Sequence, residues 1–431
     1  MSPVAHAKTA FKADDFCVSF VARKLSAFLF IRIKRRIIML LSIAIILISG
    51  LLLGWICKLI RFPSLFGMII AGVIIGPHVL NLIDGSILSI SSDIRRIALI
   101  IILIRAGLKL NLSDLKKVGR PAVLMCFVPA CLEIIGMVLL APRLLGVTLL
   151  DAAIMGAVVA AVSPAVIVPR MIRLIDEGRG TQKGIPQMIL AGASVDDVFV
   201  IVLFTTFTGM AQGKAASVMS FVNIPISILV GAAVGIIIGI VFALIFGKLK
   251  TDVIVMVIIL LSISFALNAA EDTLSGIIPF AALIAIMCVG IGIKRKSDKL
   301  AVRLSDKFNS LWKIAEIFLF VLVGASVAID SALGAGAMSV LLLFCVLIFR
   351  MLGVFLCLLF TKLNLKEKLF CMIAYTPKAT VQAAIGGLPL AMGLPCGEIV
   401  LTVSVIAILV TAPLGAFGID LSYKRFLEKN K

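Results

Sequence analysis

Charge is what this sequence is short of. Only 15% of its 431 residues are Asp, Glu, Lys or Arg, while 62% are hydrophobic and mean hydropathy is +1.22. A soluble domain carries roughly 25% charge, so the composition excludes a water-soluble enzyme and points to an all-α polytopic membrane protein. A cysteine framework is also missing: the nine cysteines stand singly, mostly within apolar runs, with no CxxC. They read as small reduced hydrophobes rather than disulfides or metal ligands. There is no GxGD, which removes an intramembrane aspartyl protease, whose two carboxylates sit on different helices. No adequate apolar run precedes a small-residue cleavage site, so a cleaved signal peptide is not expected. The loops are short and only residues 420–431 follow the last apolar segment. No aqueous catalytic module, cofactor or nucleotide-binding domain is therefore expected, which also disfavours a ligand-gated potassium efflux channel.

The charge that is present is mostly positive, with 41 Lys and Arg against 22 Asp and Glu and a net of +19. Binding to nucleic acid would require these residues on one aromatic-bearing face. They lie instead in short stretches between apolar segments, where they read as topology signals.

Apolar segments of about 17 to 25 residues cross a bilayer as helices. They fall near 37–57, 64–82, 95–112, 121–145, 149–171, 185–211, 224–246, 253–269, 276–293, 312–329, 335–360, 368–392 and 398–419, which predicts thirteen transmembrane helices. The loops after even-numbered segments hold only Arg95, Arg96, Arg143 and Lys214, whereas those after odd-numbered ones are Lys/Arg-rich, including KRKSDKLAVRLSDKFNSLWK at 294–313. By the positive-inside rule the C-terminus faces the cytoplasm and the N-terminus lies outside. The basic tail 1–36, ending in RIKRR, conflicts with that orientation. Either the tail is a basic interfacial helix, or Met39 is the native start.

With 224–246 as a linker, six segments lie on each side, and an even count forces the two halves into opposite orientations. The fifth segment is interrupted by Pro164 and Pro169, and its counterpart, the twelfth, by Pro377, Gly386, Gly387 and Pro389. Interrupted helices in matching positions point to a binding site near the bilayer midplane.

The few intramembrane charges collect near these interruptions: Glu133, the adjacent pair Asp196 and Asp197, Arg350, and Lys378 at the mouth of the twelfth segment. A charge at the centre of a membrane helix costs about 2.5 to 3.5 kcal/mol on insertion scales, so the Asp pair costs about 6. Such residues are not kept for packing. Helical neighbours point about 100° apart, so one Asp can face a cation site while the other faces a fixed cationic side chain. Glu133 and Arg350 read either as a buried ion pair locking the two halves or, for Arg350, as the partner of an Asp. Lys378 reads either as compensation for a broken helix end or as another Asp partner. Arg105, near the end of its segment, can snorkel to the interface.

AVVAAVSPAVIVPRM, KGIPQMILAGASVDDVFVI and NLKEKLFCMIAYTPKATVQAAIGG together resemble the monovalent cation:proton antiporter superfamily, in its NHA-type sodium/proton antiporter branch. LIRAGLKL and FPSLFGMIIAGVIIGP extend the resemblance over about residues 40–420. It implies a homodimer of NhaA-like protomers with two crossed, partly unwound helices. Scaffold and dimerisation helices would lie in 37–118 and 251–333, ion-transporting core helices in 119–212 and 334–420, a linker in 213–250 and a cytoplasmic tail in 421–431. It further implies that Asp197 carries the transported ion and the proton with Asp196 beside it, that Glu133 and Arg350 are the charged pair, and that Lys378 is the motif lysine. Ser326 in LVGASV stands where some relatives carry an acid, which leaves no ion-pair partner expected there.

The chemistry follows from desolvation. Withdrawal from water disfavours the charged form of a carboxylate, so it takes up a proton near neutral pH and gives it up to a hard cation offering itself with oxygen ligands. Alternating exposure of one such site yields antiport of sodium or lithium against protons. Unwound carbonyls and Ser163 are the expected additional ligands for Na+ at Asp197 and Asp196. A potassium/proton antiporter or a cation channel on the same scaffold is the alternative, and a multi-pass cell (inner) membrane protein acting in pH homeostasis is the expected setting.

Overall fold

The computed structural model describes residues 39–60, 62–109, 119–213, 218–249, 251–274, 280–327 and 329–429, so the basic tail 1–36 lies outside the described residues. Described secondary structure is helical throughout, apart from one isolated bridge between Arg179 and Lys429. The helices are α1 Met39–Leu59, α2 Ser64–Ile75, α3 Gly85–Ser89, α4 Ser91–Lys109, α5 Arg120–Met125 and α6 Val128–Leu145. They continue as α7 Leu149–Val159, α8 Pro164–Asp176, α9 Ile185–Ala211, α10 Val218–Phe246, α11 Val253–Leu274 and α12 Ala282–Lys296. The chain closes with α13 Asp298–Ala325, α14 Ile329–Cys357, α15 Leu365–Ala374, α16 Thr380–Ile385, α17 Leu388–Ala391 and α18 Gly397–Phe426.

Every one of the expected apolar segments contains helix, but among the described residues nine helical stretches are long and apolar enough to cross a membrane. Part of the difference lies in segments that are cut short or broken, and part in α4, whose 19 residues carry five charges. α2 stops at Ile75 instead of running to 82, because Pro77 forces Gly76 into an extended conformation (ψ 174°). The twelfth segment is divided into α15, α16 and α17.

Three readings of local structure need correction. The basic stretch 294–313, read as a loop, is helical except at Ser297, whose hydroxyl accepts the Leu300 N–H at 3.3 Å and caps α13. Its Leu300, Ala301, Leu304 and Phe308 are buried at helical spacing, which sends the lysines and arginines outward. Arg95 and Arg96, also counted as loop residues, lie in the first turns of α4, and Arg95 is 4% exposed. Pro169, taken as a helix breaker, sits inside the continuous helix α8; the break is the segment 161–163 ahead of Pro164. Pro164 occupies the first helical turn, where its missing N–H breaks no intrahelical bond.

The helices pack mainly in two groups. α2, α4, α12 and α13 pack closely on one another, as do α10 and α12; α6, α7, α9 and α14, with α15 and α18, make the other set. In the first group Gly231, Gly235 and Gly239 form a stripe on α10, where any Cβ would strike main-chain atoms at Ala281, Ala285 and Val289. Such small-residue contacts let membrane helices approach closely enough for dispersion to hold them. In the second group both interrupted segments begin with the same device. Thr148 and Asp151 form a capping box ahead of α7, and Asn364 and Glu367 form one ahead of α15. Each satisfies helix-end N–H groups from within its own chain segment, so these helices start firmly at their capped ends and break only further along.

Candidate functional site

The two interruptions meet. Ser163, ahead of α8, donates its N–H to the Pro377 carbonyl in the break between α15 and α16, at 2.8 Å. Proline at 164 and 377 leaves each break without a donor that would let the helix run on. Backbone groups freed there lack water as a partner in a bilayer, and must be satisfied by protein. Gln382 on α16 does part of this, its side-chain amide N–H groups donating to Val159 O at 3.1 Å and Ala161 O at 2.8 Å. A second part falls to Asp196, whose Oδ2 accepts the Val162 N–H at 2.8 Å.

Arg350 on α14 is fully buried and ties four segments together. Its guanidinium donates to Glu133 Oε2 at 2.6 Å, to Asp196 Oδ2 at 3.0 Å, to the Tyr375 carbonyl at 2.6 Å and to the Ala160 carbonyl. The planar fork of arginine suits this divergent set of acceptors better than an ammonium would. Its carbon lies 5.2 Å from the Tyr375 ring centre, and Tyr375 in turn donates its hydroxyl to Met125 O at 3.1 Å.

Lys378, placed by the sequence at the mouth of its segment, is instead fully buried. Its ammonium donates to Glu133 Oε2 at 2.6 Å, not to an Asp, and its main-chain N–H donates to Thr411 Oγ1 at 2.9 Å. Glu133 thus receives both cations on one oxygen, while its Oε1 is buried without a hydrogen-bond partner.

Asp196 and Asp197 diverge, as helical neighbours must. Asp196 is fully buried and held by Arg350 and the Val162 N–H. Asp197 is half-buried and makes no hydrogen bond or ion pair among the described residues; its Oδ1 is shielded from solvent and unpartnered. Other buried oxygens without partners include Ser163 Oγ, Thr380 Oγ1 and Gln382 Oε1 on the two segments that meet at the breaks, and Asp196 Oδ1 on α9. Such a set of carboxylate, hydroxyl and amide oxygens suits a hard cation. No group of three or more His, Cys, Asp or Glu that would hold a transition metal exists among the described residues.

Gly386 and Gly387 fall in the bend between α16 and α17, close to Ser404 and to the Arg95 guanidinium respectively. Among the described residues Ser326 bonds within its own helix end, its hydroxyl donating to Leu322 O at 2.8 Å. Arg105 lies outside this cluster; its electrostatic partner is Glu316 on α13. The sequence reading missed Glu316, a lone acid in the apolar run KIAEIFLF, and it assigned nothing to Gln382 and Thr380. A polar pair in TVQAAIGG was the available signal.

A family described as "Sodium/hydrogen exchanger, transmembrane" matches residues 43–421. The chain is 35% identical over 401 residues to sodium/hydrogen exchanger 9B2 of Homo sapiens, covering 89% of this chain and 73% of that protein. It is 31% identical over 422 residues to sodium/hydrogen exchanger 9B1 of Homo sapiens, with 91% and 79% covered. The sodium proton antiporter MjNhaP1 from Methanocaldococcus jannaschii, in its structure at pH 8, shares the fold with a TM-score of 0.79 at 20% identity, covering 89% of this chain and 97% of that one.

Proposed function

Because this chain belongs to the sodium/hydrogen exchanger family, we propose that it is a multi-pass antiporter in which sodium, or lithium, and protons compete for the Asp197 carboxylate. One observation carries the reading: of the three carboxylates on α6 and α9 beside the breaks, Glu133 and Asp196 are held by cationic side chains and Asp197, among the described residues, by none. Three potential negative charges face two fixed positive ones, Arg350 and Lys378. A low-dielectric site tolerates a surplus charge poorly. One monovalent cation on Asp197, either a proton or sodium, restores neutrality, and both together would overshoot it. Exclusion of one ion by the other follows from this balance.

The remaining roles divide by what each group touches. Arg350 and Lys378 fix Glu133 and Asp196, so Asp197 alone is left to change partner. Ser163, Thr380 and Gln382 offer neutral oxygens that replace part of the hydration of an incoming cation, while Asp196 Oδ1 supplies a second carboxylate oxygen. The thirteen-helix topology with crossed broken helices supplies alternating access: the group carrying the breaks moves against the group held by glycine contacts. Two protomers associate through the group that contains α2, α4, α12 and α13, the C-terminus faces the cytoplasm and the cell membrane is the setting.

The direct test is reconstitution of the purified protein into proteoliposomes with an interior pH dye. Addition of sodium or lithium to the outside should drive protons out of the compartment that sodium enters. Uptake of labelled sodium without proton counterflow would establish a channel instead, and proton flux driven by potassium alone would move the cation assignment.

A further inference from the structure

Arg95 has no role in the site described above, yet it is 4% exposed on α4. Its Nε donates to Ser91 O at 3.2 Å, one turn back, and its Nη1 is buried without a partner. No acidic side chain pairs with it among the described residues. A buried cation without a carboxylate partner is costly. What it does touch is the bend between α16 and α17. A Cβ built on Gly387 would lie 2.8 Å from Arg95 Nη2 and 2.9 Å from Cζ, with the other guanidinium nitrogen as its nearest neighbour. The guanidinium therefore lies against the main chain of Gly387, in space open only because residue 387 has no side chain.

This contact joins the two groups of helices. α4 packs on α12 and α13, whereas α16 and α17 pack on α18 and, through α16, on α7. α16 is also the broken-helix segment that reaches across to α4 and α13. In the segment order expected from the sequence, Arg95 adjoins a connection on the face that is poor in Lys and Arg. We propose that Arg95 is an access latch: its guanidinium, seated at Gly387, holds the α16–α17 bend against α4 and keeps the site closed towards that face. Leaving the seat carries the bend away from α4 and opens the same face. Because the latch biases one of two states, its removal shifts their populations and alters apparent affinity unequally on the two sides.

The inference rests on the antiport reading, and two measurements separate the two. Hydrogen–deuterium exchange in detergent needs no transport. Arg95→Ala should speed exchange in 384–397 by several-fold while leaving α6 and α14 unchanged. In oriented proteoliposomes, Arg95→Ala should change the sodium KM several-fold on the Lys/Arg-poor face and leave it nearly constant on the opposite face. Gly387→Ala should reproduce that asymmetric shift by displacing the guanidinium, and Arg95→Ala/Gly387→Ala should be no stronger than either single change. Gly387→Ala also keeps the test open if Arg95→Ala does not fold. Equal KM changes on both faces, or additive effects of the two substitutions, would overturn the latch. Wild-type protein that moves no protons against sodium would refute the antiport reading while leaving the exchange result for 384–397 to stand or fall by itself.

Discussion

Two regions of this molecule hold charge within apolar helices, and they do so differently. Between α4 and α13, Arg105 lies within electrostatic reach of Glu316 without forming an ion pair or hydrogen bond with it, and Lys109 lies within reach of Asp306, all on continuous helices with cations and acids in equal number. At the breaks of α7–α8 and α15–α16, Arg350 and Lys378 face Glu133 and Asp196, with Asp197 left over. A balanced pair on unbroken helices does no more than join two helices. An unbalanced set on broken helices lacks one positive charge, and that deficit can be filled by an ion arriving from either side. The contrast says that charge count and helix continuity, not the mere presence of membrane charge, mark the transport site.

The largest effect should come from removing the surplus. Asp197→Asn keeps the shape and leaves the fixed charges balanced, so exchange should fall to that of protein-free vesicles while thermal stability holds or rises. Sodium-driven proton flux in this variant would erase the distinction between the two regions.

Next comes the fixed part of the cluster. Arg350→Met strands Asp196 and leaves Glu133 with Lys378 alone, and loss of one partner from a buried ion pair costs about 3 to 5 kcal/mol. Glu133→Gln should cost less, since Arg350 retains Asp196, and a double-mutant cycle on melting temperature should be strongly non-additive. Additive losses would mean that the four side chains do not act as one network.

The scaffold pair should matter far less. Glu316→Gln should lower stability by about 1 kcal/mol, the usual scale of an interhelical polar contact in a membrane, with the sodium KM unchanged. A change in KM would show that the continuous helices also take part in ion binding.

The smallest effect is expected outside the membrane, where Lys183 donates to Glu367 at 2.8 Å. That hydrogen bond holds the Lys183 ammonium above the usual lysine range. A raised lysine value contributes stability that is complete below its unfolded pKa of about 10.4 and is lost only as pH rises through the folded value. Lys183→Met should therefore cost no more than about 1 kcal/mol, and the cost should be the same at pH 6 and pH 9. A cost that grew between those values would point to a different titrating group.

Much of this contrast was legible in the sequence because charges in apolar runs are rare and prolines in them are conspicuous. Glu133, Asp196, Asp197, Arg350 and Lys378 were visible as exceptions to hydropathy, and Pro164 and Pro377 as interruptions. Partners were not legible. Which oxygen of Glu133 takes Lys378, or that Asp196 rather than Asp197 meets Arg350, depends on helix rotation and on contacts between segments more than 150 positions apart in the chain. Pro169 misled because a proline signals a lost hydrogen bond, not the place where the chain bends. The stretch 294–313 misled because its density of lysine and arginine masked a buried apolar stripe at helical spacing. Arg95 was hidden for the same reason, as one of two adjacent arginines near a helix start.

The central claim is that proton and sodium share one carboxylate, and the initial antiport rate against sodium concentration, at several values of pH equal on both sides of the vesicle, tests it most directly. The account predicts a sodium KM that rises about tenfold per pH unit below the site's titration point and levels off above it, with a maximal rate that changes little. A sodium KM independent of pH from about 6 to 8.5, where a shared carboxylate must titrate, would contradict it.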